Sequence, residues 1–276
     1  QFKWCRRRKV MTVLRLTIPS SGALFEGSQN ILMRSGLEIQ RASARKYIAT
    51  IPSLPSVQVL FQRQSDIPIQ IDQETTDLGI VGKDRFFEPR LEEGDSTSII
   101  GNLEFGGANL VIAVPDFWLD IVSTKDLADL SLEFRAKGRY MRIATKYKRL
   151  VKRFLNEKGI NYFSIVNVSG GLEAAPVMGY ADLIADISAS GTTLKANNLR
   201  PLNDGIVLNS NAILVANKKL LAAEKQKLEI TKMIIKYVQS YLNSKQNVTD
   251  IKSTSQTTRD PIKTLLHDLI EYRSKV

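Results

Sequence analysis

The chain has 276 residues, 43% hydrophobic and 24% charged, the balance of a globular protein of one to two domains rather than a disordered chain or a coiled coil. A single cysteine, Cys5, excludes an internal disulfide framework, and a single histidine, His267, leaves too few ligands for a zinc site of the His/Cys kind. The net charge of +11 sits at the ends: residues 1–10 carry five cations and no acid, residues 217–276 carry an excess of six, and the body between is neutral, which argues against a broad basic face for nucleic acid.

The longest apolar runs, such as Leu110 to Val114 and Ala212 to Ala216, are far below the roughly 18 residues that span a bilayer. The expectation is a soluble, cytoplasmic protein with no membrane or nucleic-acid partner. Residues 1–10 begin with Gln1, precede a clean strand pattern and lack the apolar core of a secretory signal. They are read as a basic extension and set aside.

From Met11 onward, short apolar runs alternate with amphipathic stretches. Strands are predicted at 13–18, 57–62, 77–81, 109–114, 141–144, 163–168, 181–187 and 212–216, most bordered by Gly, Pro, Asp or Asn. Helices are predicted at 22–35, 66–75, 123–138, 146–158, 172–179, 191–199 and 218–244, the last with an apolar stripe from Ile230 to Leu242. The acidic, glycine-containing stretch Leu91 to Gly101 reads as a surface loop, and no internal repeat is visible. Strand-helix alternation of this length is an α/β pattern.

The most informative segment runs from Ala181 to Leu194. An apolar strand ends in Asp186, and the small residues Ser188 to Thr193 then open a helix whose first amides have no internal partner. Backbone N–H groups, the hydroxyls of Ser190, Thr192 and Thr193, and close approach at Gly191 make a cradle for phosphate. Asp186 at its rim is placed to accept from hydroxyls on whatever carries the phosphate, a ribose being the simplest candidate. The same residue types also serve as ordinary N-caps and turn formers, and spacing alone does not separate the two. In Asp77-Leu-Gly-Ile-Val-Gly-Lys-Asp84 a strand runs into a glycine turn with an acid beyond it, where open α/β sheets bind ligands. Arg63, just after the strand 57–62, is free of an evident structural duty and within reach of an anionic ligand. Asp66 and Pro68 are explained as a helix start. The cations Lys146, Lys148, Arg149, Lys152 and Arg153 read mostly as a solvated helix face.

These residues carry a resemblance to the ATP phosphoribosyltransferase family of histidine biosynthesis. The matching motifs run in order: Leu14-Arg-Leu-Thr-Ile-Pro; Asp66-Ile-Pro; Asp77-Leu-Gly-Ile with Gly82 and Asp84; Phe105-Gly106-Gly107; Arg142-Ile-Ala-Thr-Lys-Tyr147; Lys158-Gly-Ile160; Glu173-x-Ala-Pro176; and Gly179-Tyr-Ala-Asp182 leading to Asp186 and Ser190-Gly-Thr-Thr-Leu194. The resemblance implies a two-domain fold like a type II periplasmic binding protein with a cleft active site, residues 11–105 and 196–217 in one domain and 106–195 in the other. It implies attack of N1 of ATP on C1 of phosphoribosyl pyrophosphate, with pyrophosphate leaving. It assigns Asp186 and Glu173 as catalytic residues, Asp182, Asp186, Ser190, Gly191, Thr192 and Thr193 to phosphoribosyl pyrophosphate, and Arg63, Asp84, Gly106 and Gly107 to ATP. A ring nitrogen already has its lone pair, so the scarcity of histidine is no obstacle. Mg²⁺ is expected on the substrate phosphates, without a dedicated protein metal cage.

The chain departs from the family pattern at two positions, where Ala23 and Asn109 stand in place of cations, with Lys83, Arg85 and Lys148 as candidates to compensate. Residues 218–276 are expected to form a C-terminal helix and a rudimentary regulatory region, with Asn247 to Lys252 a strand and Asp260 to Ile270 a helix carrying His267. The resemblance implies a homo-oligomer, or a hetero-oligomer with a regulatory subunit resembling histidyl-tRNA synthetase. Two other readings stand beside it: a non-catalytic cleft-type binding protein, and a phosphoribosyltransferase for another acceptor, against which the motifs outside the Asp186 loop count.

Overall fold

The computed structural model describes residues 12–90, 94–168, 170–249 and 260–275. The basic extension at residues 1–10 lies outside them. In chain order the elements are β1 (Leu14–Pro19), α1 (Ala23–Arg34), β2 (Ile48–Thr50), β3 (Val57–Gln62), α2 (Ile67–Asp72), β4 (Leu78–Gly82), α3 (Lys83–Phe87), β5 (Ser96–Ile100), β6 (Ala108–Pro115), α4 (Thr124–Ala136), β7 (Met141–Thr145) and α5 (Lys148–Glu157). There follow β8 (Phe163–Val166), a 3₁₀ turn at Leu172–Ala174, β9 (Leu183–Ser188), α6 (Thr192–Ala196), β10 (Leu199–Ser210), β11 (Ala212–Asn217), α7 (Lys218–Ala223), α8 (Lys225–Thr249) and α9 (Pro261–Lys275).

The chain divides into two compact units. The first holds the described residues of Gln1–Val81, Glu93–Phe105 and Ala212–Val276; the second holds those of Gly82–Glu92 and Gly106–Asn211. The expected division therefore shifts at two places. Residues 196–211 belong to the second unit because β10 is laid antiparallel along β6, from Leu199 opposite Pro115 to Ser210 opposite Ala108. Pro201 has no amide hydrogen to donate and the register shifts between Pro201 and Ile206, but Asp204 fastens the irregularity by accepting from the amide and hydroxyl of Thr124. The segment 82–92 belongs there through Asp84 and Glu88.

The first unit is built on a six-stranded sheet in the order β2-β3-β1-β4-β11-β5, with β1 parallel to β3 and β4. Ser96–Ile100, expected as loop, is its edge strand, antiparallel to β11. Its Ile99 and Ile100 are buried, and the acidic residues before them had masked the short apolar run. Gly27 on α1 is required by packing, since a methyl group there would collide with the ring of Phe105. The predicted helix 218–244 is broken at Glu224, whose extended backbone separates α7 from α8. The expected strand at Asn247 is instead the end of α8 as far as Thr249, and residues 250–252 lie outside the described residues. Ile234, Ile235 and Val238 of α8 and Leu265 and Leu269 of α9 join the core of β1, β3 and β4, so the tail packs as part of the first unit. His267 is exposed.

The second unit is built on a five-stranded sheet in the order β10-β6-β9-β7-β8. Here β7 is parallel to β8 and β9, and β6 is antiparallel to β9 and β10. Period-two alternation sends Leu110, Ile112, Ile143, Leu183 and Ala185 to one face, under α4 and α5. Val111, Ala113, Ala144 and Ile184 go to the other, where Leu172, Ala175 and Leu194 cover them. The helix predicted at 172–179 is only the 3₁₀ turn, and that at 191–199 shrinks to α6, because Asn197 and the left-handed Asn198 end it before β10.

Candidate functional site

The site grows from the way β7 and β9 are fastened together. Asp182, one residue before β9, accepts from the amide of Arg142 at 2.7 Å and from its Nη2 at 3.1 Å, while its own amide donates to the Arg142 carbonyl at 2.8 Å. Arg139 adds a bond at 2.9 Å. Burial alone would raise the Asp182 carboxyl, but the bonds from Arg142 and Arg139 outweigh it and hold the group below its ordinary value. The structure thus gives Asp182, expected at the phosphoribosyl site, a fastening role. It does not line the pocket described next.

With the strands in register, Asp186 falls on β9 opposite Val111 of β6. It lies two residues beyond Ile184 and therefore on the face of the small core. Beyond it the chain turns at Gly191, whose φ of +75° is the left-handed conformation that favours glycine. The turn is held by Ser188 Oγ, which accepts from the Gly191 amide at 3.1 Å, and by a 2.8 Å hydrogen bond between the hydroxyls of Ser190 and Thr192. Glu173, Asp186, Ser190, Gly191, Thr192 and Thr193 are thereby brought to line one open pocket, with a cavity volume of about 150 Å³. That is roughly ten times the ~10–15 Å³ that admits one water, so a phosphate-sized group has room. Of the site residues expected from sequence, these six come together.

The pocket is electrostatically set. Burial raises the Asp186 carboxyl above its ordinary value, and the charge of Glu173 adds to this, while Lys146 and Arg85 act in the other direction. Glu173 and Asp186 are the carboxylates that line the pocket. Among the described residues no three His, Cys, Asp or Glu side chains come together as a metal site.

Asp84 has a different setting in the same unit. It is buried, accepting from the Tyr147 hydroxyl at 2.8 Å and from the Ser210 hydroxyl at 2.7 Å, with Arg85 at 3.8 Å. The Arg85 guanidinium lies 4.9 Å from the centre of the Tyr147 ring. Burial, then the Asp84 charge, push the Tyr147 hydroxyl well above its ordinary range, so it stays a donor. Glu88 continues the docking, its two oxygens accepting from the amides of Arg149 and Leu150 at 3.0 and 3.1 Å at the start of α5. Gly106 and Gly107 precede β6, Gly106 with a φ of +68°. Arg63 is exposed after β3 in the first unit, its carbonyl accepting from the Asp66 amide. Of the two neutral positions, Ala23 starts α1, and Asn109 is opposite Ser188 in the β6–β9 ladder, beside the pocket.

Sequence reasoning missed Tyr147 and Ser210, and grouped Lys146 with a solvated helix face. For Tyr147 there was a signal, an aromatic residue between a strand and a basic helix; for Ser210 there was none, because its partner is 126 residues away in sequence.

A model of the HisG family, ATP phosphoribosyltransferase, matches residues 63–240. The ATP phosphoribosyltransferase of Mesorhizobium japonicum is 42% identical over 214 residues, 76% of this chain and 92% of that protein. Of longer relatives bearing the same name, such as that of Rhodopseudomonas palustris, 40% identical over 74% of this chain, the match spans 63% of their length. Among solved structures, the ATP phosphoribosyl transferase (HisG:HisZ) complex from Thermotoga maritima aligns over 84% of this chain and 99% of that one, with a TM-score of 0.61 and 24% identity. A putative periplasmic sulfonate-binding protein from Methylobacillus flagellatus aligns over 92% and 76%, with a TM-score of 0.53 and 14% identity. These two likenesses concern the fold, which is of the type II periplasmic-binding-protein kind expected from the sequence.

Proposed function

The chain belongs to the ATP phosphoribosyltransferase family, and on that premise we propose that the pocket at the end of β9 receives phosphoribosyl pyrophosphate. The enzyme is a transferase of the first step of histidine biosynthesis, joining the phosphoribosyl group to N1 of ATP. The observation that carries the site assignment is the convergence of Asp186, Glu173 and the Ser190–Thr193 turn on one pocket. In this reading the turn takes the 5-phosphate through amides and hydroxyls, and Asp186 orients the ribose hydroxyls. Its negative charge, beside that of Glu173, favours the oxocarbenium-like ribose from which pyrophosphate departs. N1 supplies its own electron pair, so the protein's work is orientation and charge balance rather than proton abstraction.

Mg²⁺ belongs to the proposal as the ion of the substrate phosphates, with Glu173 and Asp186 the carboxylates within the pocket that suit it. It would neutralise charge on the leaving pyrophosphate. Arg63, Gly106 and Gly107 remain the proposed ATP side. Asp84 serves that side by holding α3 in place, since both its carboxylate oxygens already accept from Tyr147 and Ser210. We further propose a cytoplasmic setting and a hetero-oligomer with a histidyl-tRNA-synthetase-like subunit, the latter supported by the fold likeness to the Thermotoga maritima protein, which is a HisG:HisZ complex. A non-catalytic binding role is not favoured, because the named relatives are transferases.

The test is absorbance of N1-substituted adenine on mixing the chain, alone and with such a subunit, with ATP, phosphoribosyl pyrophosphate, Mg²⁺ and pyrophosphatase. A signal that needs both substrates is expected, and it would also show that Ala23 and Asn109 are tolerated. Its absence under both conditions would contradict the assignment.

A further inference from the structure

A cation stands beside Asp186 that neither the cradle nor the strand fastening uses. In the parallel ladder Ile143 is opposite Leu183, Ala144 opposite Ile184 and Thr145 opposite Ala185. Lys146 and Asp186 are the residues that follow this last pair, Lys146 at the bend where β7 ends and Asp186 within β9. Ala144 and Ile184 share the small core, and Asp186, two residues beyond Ile184 on β9, lies on that face. Lys146 is held from both sides. Thr145 is fully buried and its hydroxyl accepts from the Tyr147 amide at 2.9 Å, while Tyr147 is anchored to Asp84.

The neighbouring cations are committed elsewhere. Arg139 and Arg142 are paired with Asp182, Arg85 is shared between Asp84 and the Tyr147 ring, and Arg149 donates to the Pro89 carbonyl. Lys146 is half-buried and forms no ion pair within 4 Å among the described residues. Across β9, the position beside the turn is the neutral Asn109. Lys146 thus follows the last β7–β9 pair at the Asp186 end, whereas Ser190 to Thr193 lie beyond the end of β9.

From this placement we propose that Lys146 binds the pyrophosphate arm of phosphoribosyl pyrophosphate, opposite the 5-phosphate in the turn, and so supplies the positive charge that Asn109 does not. The proposal rests on the phosphoribosyl reading of the pocket. Its influence on the Asp186 carboxyl is consistent with this closeness.

Calorimetric titration of the full chain, its Lys146→Ala variant and its Lys146→Arg variant with phosphoribosyl pyrophosphate and, separately, ribose 5-phosphate tests it. Lys146→Ala should lose roughly 10- to 100-fold in affinity for phosphoribosyl pyrophosphate, the range of one charge-assisted hydrogen bond. Ribose 5-phosphate should bind within about twofold of the parent, and Lys146→Arg should restore most of the loss. Equal losses for both ligands, or no loss for either, would overturn the assignment to the pyrophosphate arm. Failure of the unsubstituted chain to bind either ligand would instead strike at the phosphoribosyl reading, and this inference would fall with it.

Discussion

In the first unit Arg15 and Asp77 each stand one residue before the paired Leu16 and Leu78; in the second, Arg142 and Asp182 each stand one residue before the paired Ile143 and Leu183. The bonds repeat as well. The Arg15 amide donates to Asp77 at 2.7 Å, its Nη2 at 3.2 Å, and the Asp77 amide donates back to the Arg15 carbonyl at 3.1 Å. Two things differ. Asp77 is fully buried and takes a further 3.1 Å bond from Lys227 of α8, whereas the Arg139 that reinforces Asp182 is 46% exposed. Four residues beyond the fastening aspartate, the second unit has Asp186 and the first has the fully buried Val81. One local device therefore serves both sheets, and the same position along the fastened strand is packed core in one unit and lines an open pocket in the other.

That comparison can be broken most severely by Val81→Asp, which copies Asp186 into the first unit. A carboxylate without a partner would be buried there, and thermal unfolding should show a loss of more than about 4 kcal/mol, or no folded chain. Next comes Asp77→Ala, which strands Arg15 and the buried Lys227 and should cost about 3–5 kcal/mol in denaturant unfolding. Asp182→Ala, whose cations reach water, should cost only about 1–2 kcal/mol. Equal costs would mean that burial does not distinguish the two fastenings. Because the folded Asp182 carboxyl is held below its unfolded value, its contribution is present above about pH 4 and is lost as the pH falls through the folded value. Asp182→Ala should accordingly flatten the acid limb of the stability curve.

Asp186→Asn sharpens the contrast in the opposite sense. Burial raises this carboxyl, so the folded state favours its protonated form, and that contribution to stability is lost as the pH rises through the folded value. The variant should unfold at a slightly higher temperature at neutral pH while losing roughly tenfold or more in affinity for phosphoribosyl pyrophosphate. A fall in both would make Asp186 a structural residue. Ser190→Ala, which removes one hydroxyl from the turn and leaves its amides, should weaken the same binding by roughly 2- to 10-fold in calorimetry.

Much of the second unit was legible in the sequence because its chemistry is local. The strand ending at Asp186, the small-residue turn and the Ser/Thr pattern lie within a dozen residues and reappear as one pocket. What escaped depends on distance along the chain. The long β10 was hidden by Pro201 and the Asp204 stretch, and only pairing with β6 reveals it as a strand. The repeated fastening also escaped, although Arg15, Asp77, Arg142 and Asp182 are all plain in the sequence. Its four residues are spread over 62 positions in one unit and 40 in the other, so no window contains it. The proposed role of Lys146 is likewise absent from the linear pattern. On the linear chain the residue heads a basic helix, and only the pairing of Thr145 with Ala185 brings that end of β7 to the strand that carries Asp186.

Hydrogen exchange of the full chain with and without phosphoribosyl pyrophosphate and Mg²⁺ tests the central claim most directly, because it reads both units at once. Residues 186–194 should become protected, while residues 77–81, which carry the same fastening but have Val81 in place of the acid, stay as they were. Binding that leaves 186–194 unchanged would contradict the assignment of this pocket.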